Sequence, residues 1–185
     1  QWSRGLGDVY KRQIISFVAG LKFNNLKSFL GGYEYILRAM PTLGISSGSS
    51  PIAFYTDMNI NDNNALDILE KLGSCLRIEE DKFDAFTSIF GAGPAFISHL
   101  SNTLAKIAKE HGFEEPEPWI REILDGTSHI HKSDEKNSFE NIVDMVASKG
   151  GVTEAALNKI NEKGIEDIWN QAINDAIIKS KALGD

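Results

Sequence analysis

The spacing of the apolar residues changes near Glu80, and this change constrains the fold more than any other feature of the chain. Before it, three short runs of β-branched and aromatic residues are typical of buried strands: residues 14–20, which end at a glycine, residues 35–40, which a proline follows, and residues 51–55. After it, apolar residues recur almost wholly at helical spacing. The pattern predicts an α/β segment followed by an all-α segment.

Capping residues, glycines and prolines locate the helices and the last strand within these segments. A short helix is expected around Leu26, and a second over residues 65–72, with Asn61 or Asp62 as its cap and Gly73 as its C-terminal glycine. Residues 75–78 then form a last strand. The helices of the second segment are predicted over 94–112, after Pro118, over about 138–146 and 152–161, and from Ile165 onward.

Composition excludes several classes of protein. A net charge of −7 provides no basic face for nucleic acid, and the longest apolar run is too short to cross a bilayer. The single cysteine, Cys75, rules out a disulfide framework and a cysteine-rich zinc site, which favours a cytoplasmic protein. No metal site is expected, because His129 and His131 are two residues apart and point to different sides of a helix.

The first thirteen residues have no periodicity, and we interpret residues 1–13 as a leader foreign to the fold. The sheet that follows has only four candidate strands and begins abruptly. We therefore expect that a preceding part of the sheet is missing, together with its phosphate-binding turn.

Residues 148–153 are the strongest candidate binding site. Gly150 and Gly151 let the backbone pass close to a ligand, and the helix that follows offers unpaired N–H groups and a partial positive charge. A carboxylate is the expected ligand. Gly91, Gly93 and Pro94 form a second junction of this kind, with the proline in the first turn of a helix, and the two junctions suggest one shared pocket.

Other residues have simpler interpretations. The acidic residues Glu79, Glu80, Asp81 and Asp84 fit a helix N-terminus, so no acid–base chemistry is assigned to them. Trp169 and the isoleucines around it fit a protein core or a subunit interface, and we favour the interface.

The order of these motifs resembles that of pyrroline-5-carboxylate reductases. The resemblance rests on the strand and turn at 15–20, on residues 38–42 (Arg-Ala-Met-Pro-Thr), on 90–96 (Phe-Gly-Ala-Gly-Pro-Ala-Phe) and on 144–153 (Asp-Met-Val-Ala-Ser-Lys-Gly-Gly-Val-Thr). It covers nearly everything from Ile14 onward. It implies the C-terminal portion of a Rossmann-type sheet plus a helical dimerisation domain, and an oxidoreductase that reduces 1-pyrroline-5-carboxylate to L-proline with NADPH or NADH.

The resemblance also implies site residues. The cofactor would contact the ends of two strands, at Ala19, Gly20, Met40, Pro41 and Thr42. The substrate, a cyclic imine carboxylate, would bind along the 146–153 segment. Its carboxylate would take the amides of Gly150, Gly151 and Val152, and its ring nitrogen would face the hydroxyl of Thr153, the catalytic candidate. The substrate-binding set comprises Val146, Ser148, Gly150, Gly151, Val152 and Thr153.

The chain departs from the family pattern at several of these positions. The family usually has serine at Phe90 and Ala92, tyrosine at Phe96, asparagine at Thr42 and proline at Lys149. The changes remove hydroxyl groups around the second junction. Lys149 loosens a turn that proline would stiffen, but it adds a positive charge near the carboxylate site.

We predict three segments: the leader (1–13), the C-terminal part of a dinucleotide-binding domain (14–80), and a helical domain for dimerisation and substrate binding (81–185). The expected partner is a second copy of the chain, as a homodimer or higher homo-oligomer. Two alternatives remain open: a noncatalytic dimerisation or interaction module of the same fold, and a related dehydrogenase acting on another small imine or hydroxy acid.

Overall fold

The fold is described here from a computed structural model, for residues 12–59, 64–133 and 138–184. The chain divides into two compact units. The first comprises the described residues up to Ala95 together with those from Ala172 onward, and the second comprises Phe96–Gln171.

The first unit is built on a four-stranded sheet in the order β1-β2-β3-β4. The strands are β1 (Ile14–Ser16), β2 (Ile36–Met40), β3 (Ser50–Tyr55) and β4 (Gly73–Arg77). β1 and β2 are parallel, β2 and β3 are antiparallel, and β3 and β4 are parallel. The carboxyl ends of β1 and β2 therefore share one edge of the sheet with the beginnings of β3 and β4.

The reversal between β2 and β3 follows from the length of their connection. A parallel neighbour needs a crossover of about a dozen residues or more. The β2–β3 connection contains only residues 41–49, in which a short 3₁₀ helix, Leu43–Ser47, occupies the middle. The other two connections contain α1 (Phe23–Phe29) and α2 (Asn64–Glu70), and both produce parallel pairs.

Helices cover both faces of this sheet, because alternate strand residues point to opposite sides. One face packs Leu37, Ala39, Ile52 and Phe54 against the α2 residues Ala65, Leu66 and Leu69. On the opposite face, Ile36 packs with Phe23 and Leu26 of α1, and Ala53 packs with Phe83 and Phe86 of α3 (Phe83–Phe86). Arg38 alternates with these apolar residues of β2 and lies on the side of α1 and α3.

Every regular element described after β4 is helical, as the sequence predicts. A 3₁₀ turn, Glu80–Lys82, leads into α3, and a π-helical turn, Thr87–Gly91, leads to α4 (Gly93–Glu110). The chain then forms α5 (Glu117–Ser133), α6 (Phe139–Val146), α7 (Val152–Glu162) and α8 (Ile165–Gly184). Glycines with positive φ end two of them: Gly112, at +89°, after α4, and Gly164, at +72°, after α7.

The helices of the second unit expose much of their apolar surface. Ala105 is the one buried residue of α4, and α5, α6 and α7, which all lie within the described ranges, contain none. Large side chains are exposed instead, among them Trp119 at 70% and Phe139 at 77%. Within the described part of the chain, no helix is long and apolar enough to cross a membrane.

Three details differ from the sequence predictions. β1 ends at Ser16 rather than Gly20, because residues 17–20 leave the sheet to form a turn. Gly73 does not end α2 as a left-handed cap; it begins β4 opposite Ser50, and its φ is not positive. β4 accordingly runs over Gly73–Arg77 rather than 75–78. The candidate caps Asn61 and Asp62 lie outside the described residues.

Most of the predicted leader, residues 1–11, also lies outside the described residues. Its last two residues contact the sheet unit. The side-chain oxygen of Gln13 accepts a hydrogen bond from the Ala65 amide at 2.6 Å, and the Arg12 carbonyl accepts one from the Tyr33 hydroxyl. Gln13 thereby satisfies an amide in the first turn of α2. The bounds of the three predicted segments remain predictions.

Candidate functional site

The 148–153 loop comprises most of the connection between α6 and α7 together with the first two residues of α7, and it belongs to the second unit. Gly150 has φ of +74°, a left-handed conformation that glycine adopts without strain. This conformation turns the chain so that the Gly151 amide donates to the Ser148 carbonyl at 2.9 Å. α7 begins immediately afterwards, with Gly151 as its N-cap residue. The predicted glycine-opened helix is confirmed.

A glycine is needed at position 151 for a different reason than at position 150. Its φ of −84° suits any residue, but a Cβ at this position would lie 2.9 Å from the Ser148 carbonyl oxygen and 2.7 Å from the Ser148 Oγ. Around Gly150, no atom of the described residues would lie within 4 Å of a Cβ. The loop thus combines one backbone conformation that favours glycine with one close approach that excludes larger residues.

The predicted carboxylate-binding amides differ in their availability. The Gly150 amide donates to Oε2 of Glu154 at 2.7 Å, and the Gly151 amide is used within the turn. Val152 and Thr153 lie in the first turn of α7, where backbone N–H groups have no partner within the helix. The N-terminus of α7 therefore attracts anions, and the chain's own carboxylate already lies against it.

The side chains around this loop are mostly accessible. Val152 is 89% exposed and Val146 is 63% exposed, while Thr153 is half-buried in the first turn of α7. Ser148 and Lys149 are exposed as well. The residues predicted to bind the substrate therefore lie on one short segment, and the Thr153 hydroxyl lies next to the first-turn amides of Val152 and Thr153.

The predicted cofactor residues lie in the first unit, at one edge of the sheet. Because β1 and β2 are parallel, with Ser16 paired to Arg38, the segments that follow both strands leave the sheet on the same side. Ala19 is exposed, whereas Gly20, Met40 and Pro41 are half-buried. Ala19 and Gly20 line a cavity of ≈ 280 Å³, together with Thr87, Ser88, Ala92 and residues of α8. This edge offers space for part of a ligand.

Gly20 also lies against the end of α8. A Cβ on Gly20 would be 2.9 Å from the Leu183 carbonyl oxygen and 3.3 Å from the Gly184 amide nitrogen. The turn after β1 can approach the helix end this closely only because residue 20 has no side chain.

Thr42, the last of the predicted cofactor residues, is buried, and its polar groups are bonded within the protein. Its amide donates to the Ser50 Oγ at 2.8 Å, and the two hydroxyls lie 3.1 Å apart. These contacts hold the end of β2 against the beginning of β3. In the structure, the Thr42 side chain contacts Ser50. Contact between Thr42 and a cofactor stays a prediction.

The junction at residues 90–96 connects a π-helical turn to α4. The Ala92 amide donates to the Thr87 carbonyl at 3.0 Å, and α4 begins at Gly93, so that Pro94 lies in its first turn as predicted. A Cβ on Gly91 would lie 3.6 Å from the Met40 Cε. Gly91 is therefore adjacent to one of the predicted cofactor residues. The shared pocket inferred from the two junctions remains a prediction.

Two charged residues at the sheet edge were not assigned a role from the sequence. The Arg38 guanidinium, on a side chain only 6% exposed, forms an ion pair with Glu80, and it donates to the Ala19 carbonyl at 3.3 Å. An arginine within an otherwise apolar strand is the sequence signal that points to such a pair. Glu80 could not be selected from its acidic neighbours, because the contact joins residues far apart in sequence.

Within the described ranges, no group of three or more His, Cys, Asp or Glu side chains is arranged to hold a metal ion. His129 lies beside Asp125, with 3.0 Å between Nδ1 and the backbone oxygen, and the His131 ring contacts Phe139. Burial raises the pKa of the Cys75 thiol, which disfavours its nucleophilic thiolate form.

Comparison with known proteins identifies the family. The sequence model of the pyrroline-5-carboxylate reductase dimerisation domain matches residues 80–183. The pyrroline-5-carboxylate reductase of Aquifex aeolicus is 33% identical over 180 residues, which are 94% of this chain and 67% of that protein. The chain belongs to the pyrroline-5-carboxylate reductase family. It spans about two thirds of the length of the curated relatives it matches.

Solved structures agree with the reductase fold. The pyrroline-5-carboxylate reductase of Streptococcus pyogenes is 28% identical, with a TM-score of 0.79 over 93% of this chain and 68% of that one. The Plasmodium falciparum enzyme, solved with NADP bound, has a TM-score of 0.81 at 23% identity, over 94% of this chain and 72% of that one. The predicted fold, part of a Rossmann-type sheet followed by a helical dimerisation domain, is therefore confirmed.

Proposed function

We propose that this chain carries the substrate site of a reductase that converts 1-pyrroline-5-carboxylate to L-proline with NADPH or NADH, a step of proline biosynthesis. The observation that supports it best is the 148–153 loop. In a chain of this family, this loop combines a left-handed glycine, a close backbone approach and the free first-turn amides of α7. An anionic substrate of small size fits these features.

The substrate carboxylate would bind at the N-terminus of α7. The amides of Val152 and Thr153 have no hydrogen-bond partner within the helix. The Gly150 amide becomes available when the Glu154 carboxylate moves away. The Gly151 amide is held by Ser148 and shapes the turn. Ser148 and Val146 would flank the ligand, and the Lys149 ammonium would add attraction for its negative charge.

The strand ends would hold the nicotinamide part of the cofactor. Ala19 and Gly20 line the cavity beside the turn, Met40 ends strand β2, which is parallel to β1, and Pro41 follows it. Ala19 is exposed and carries only a methyl group, which allows a planar group to approach the backbone of this turn. The NADP bound to the Plasmodium falciparum enzyme supports a dinucleotide of this class. When bound, the reduced nicotinamide supplies a hydride to the imine carbon.

The catalysis we propose depends on how the protein places the imine relative to the nicotinamide. A protonated cyclic imine is already electrophilic, so the protein needs to fix the carboxylate and orient the ring. The Thr153 hydroxyl would hydrogen-bond the ring nitrogen while it changes from a charged imine to an amine. No strong acid, nucleophile or metal ion is needed for this step.

The helical domain would pair two copies of the chain. α5 exposes Trp119, Ile123 and Leu124, and α8 exposes Ile168 and Ile178. Large apolar side chains exposed in this number indicate a protein–protein interface, and the family model is that of a dimerisation domain. We infer a homodimer or a higher homo-oligomer. A cytoplasmic location remains a prediction from cysteine content.

Enzyme assays test the proposal directly. Oxidation of NADPH, followed by absorbance with 1-pyrroline-5-carboxylate, should depend on the imine and fall at least about 100-fold in the Thr153→Ala variant. A Thr153→Ser variant keeps the hydroxyl and should keep most of the activity. Full activity in Thr153→Ala would refute the role of Thr153. Binding of NADPH without turnover of any cyclic imine or hydroxy acid would favour a noncatalytic module.

A further inference from the structure

Arg38 connects three parts of the first unit through one side chain. Its guanidinium donates one N–H to Oε1 of Glu80 and another, over 3.3 Å, to the Ala19 carbonyl. Its Cζ also lies 4.2 Å from the centre of the Phe83 ring, at a distance suited to a cation–π contact. Arginine can make these contacts together because its planar group carries five donors in a fixed geometry.

Glu80 extends this arrangement to the beginning of α1. The same Oε1 that receives Arg38 also accepts a hydrogen bond from the Phe23 amide at 2.8 Å. α1 has no side-chain cap from its own N-cap residue, Lys22. Glu80 therefore satisfies one of the first-turn amides of α1 from a distant part of the chain, with a charge that the helix N-terminus favours.

The segment between these two contacts, residues 19–23, is thus held at both ends by one ion pair. Arg38 fixes the carbonyl of Ala19, and Glu80 fixes the amide of Phe23. A trans peptide is planar with its C=O and N–H on opposite sides. Because the Ala19 carbonyl points at Arg38, the N–H of Gly20 points away from Arg38.

We propose that Arg38 and Glu80 are positioning residues for the dinucleotide, a role that rests on the proposed function. They hold the Ala19–Gly20 peptide in the orientation that the nicotinamide meets, without contacting the reacting atoms. The Arg38 side chain is 6% exposed and that of Glu80 is 28% exposed, so solvent screens the pair only partly. Loss of either partner would leave the charge of the other mostly buried without its counter-ion, and residues 19–23 would no longer be held at both ends.

The test compares Arg38→Lys with a matched control on another strand. Lysine keeps the positive charge, but its single ammonium cannot form the arginine fork to Glu80 and Ala19. The control is Arg77→Lys, because Arg77 on β4 also donates to a backbone carbonyl, that of Thr56, at 3.2 Å. Glu80→Gln is a second variant that retains an acceptor for Phe23 but removes the ion pair.

We expect Arg38→Lys and Glu80→Gln to weaken NADPH binding, measured by nicotinamide fluorescence, by about tenfold. The KM for NADPH should rise while the KM for the imine stays unchanged, a split that a general loss of folding would not produce. Arg77→Lys should bind NADPH like the wild type. Wild-type NADPH affinity in both variants, or an equal rise of both KM values, would overturn the proposal.

Amide hydrogen exchange of Phe23, measured by NMR without cofactor, provides an arm independent of the proposed function. Exchange should accelerate by about tenfold or more in Arg38→Lys and remain unchanged in Arg77→Lys. Unchanged exchange in Arg38→Lys would overturn the role of Arg38 and Glu80 in holding residues 19–23, even if NADPH binding fell. Accelerated exchange in Arg38→Lys, combined with a wild-type protein that binds no NADPH, would retain that role and refute the proposed function instead.

Discussion

The amide of Gly150 donates to the carboxylate of Glu154 at 2.7 Å, so a side chain of the protein lies where an anionic ligand is expected. The contact is local, because Glu154 lies in the first turn of α7 and reaches back over the loop. A substrate carboxylate that uses the Gly150 amide must displace this group. Substrate binding and the conformation of Glu154 are then coupled.

Replacing Glu154 by alanine should strengthen carboxylate binding. The substitution removes both a competing acceptor and a like charge at the helix N-terminus, and we expect L-proline to bind about two- to fivefold more tightly. Calorimetric titration would measure this. Glu162→Ala is the matched control, since Glu162 is an exposed glutamate at the other end of α7, paired with Lys159. Weaker binding in Glu154→Ala would show instead that Glu154 stabilises the loop in its binding form.

Replacing Gly151 by alanine should damage the same loop. A Cβ would press against the Ser148 carbonyl oxygen, which is backbone and cannot move away without breaking the turn. We expect a loss of about 1–3 kcal/mol in the stability of the second unit, measured by hydrogen exchange of α7. Gly126→Ala is the control, because Gly126 also belongs to the second unit, a Cβ on it would have no atom of the described residues within 4 Å and its φ is not positive. Equal stability of the two variants would contradict the close approach.

Gly73 and Gly126 should respond in opposite directions to alanine. A Cβ on Gly73 would overlap the Ser50 carbonyl oxygen on the neighbouring strand, so Gly73→Ala should cost about 2 kcal/mol or more. Gly126 lies inside α5 with open space around it, and Gly126→Ala should stabilise that helix by about 0.5–1 kcal/mol. Urea denaturation of each variant would measure both effects. Destabilisation by Gly126→Ala would reveal a helix packed against that position.

The second unit should lose an acid-sensitive contact when Lys109 is replaced by methionine. Lys109 donates to Glu117 at 2.6 Å, and this hydrogen bond, with a backbone hydrogen bond, lowers the pKa of Glu117. A lowered pKa stabilises the fold above the ordinary glutamate pKa, and this contribution disappears as the pH falls through the pKa of the folded state. NMR titration should find the pKa of Glu117 raised in Lys109→Met and unaltered in Lys159→Met.

The sequence predicted local features better than long-range ones. The helices α4 to α8 were predicted within two residues at each end that the sequence placed, because each has its own apolar period and its own glycine, proline or serine signal. The loop at 148–153 was recognised for the same reason. The conformations that set it, at Gly150 and Gly151, are determined within a few residues of sequence.

The features that were missed depend on tertiary structure. Gly73 follows a predicted helix, so a cap was the expected reason for it, but the strand pairing with Ser50 is what excludes a side chain. The ion pair of Arg38 and Glu80 joins β2 to the turn before α3. Nothing near Glu80 in the sequence distinguishes it from the acidic residues beside it.

We infer that the 148–153 loop binds the carboxylate of a proline-like ligand, a claim that NMR of its backbone amides can decide. Titration with L-proline should shift the Gly150, Val152 and Thr153 amide resonances along one saturable curve. L-Prolinamide, which lacks the carboxylate, should leave them in place. Unshifted resonances with L-proline, or equal shifts with L-prolinamide, would contradict the claim.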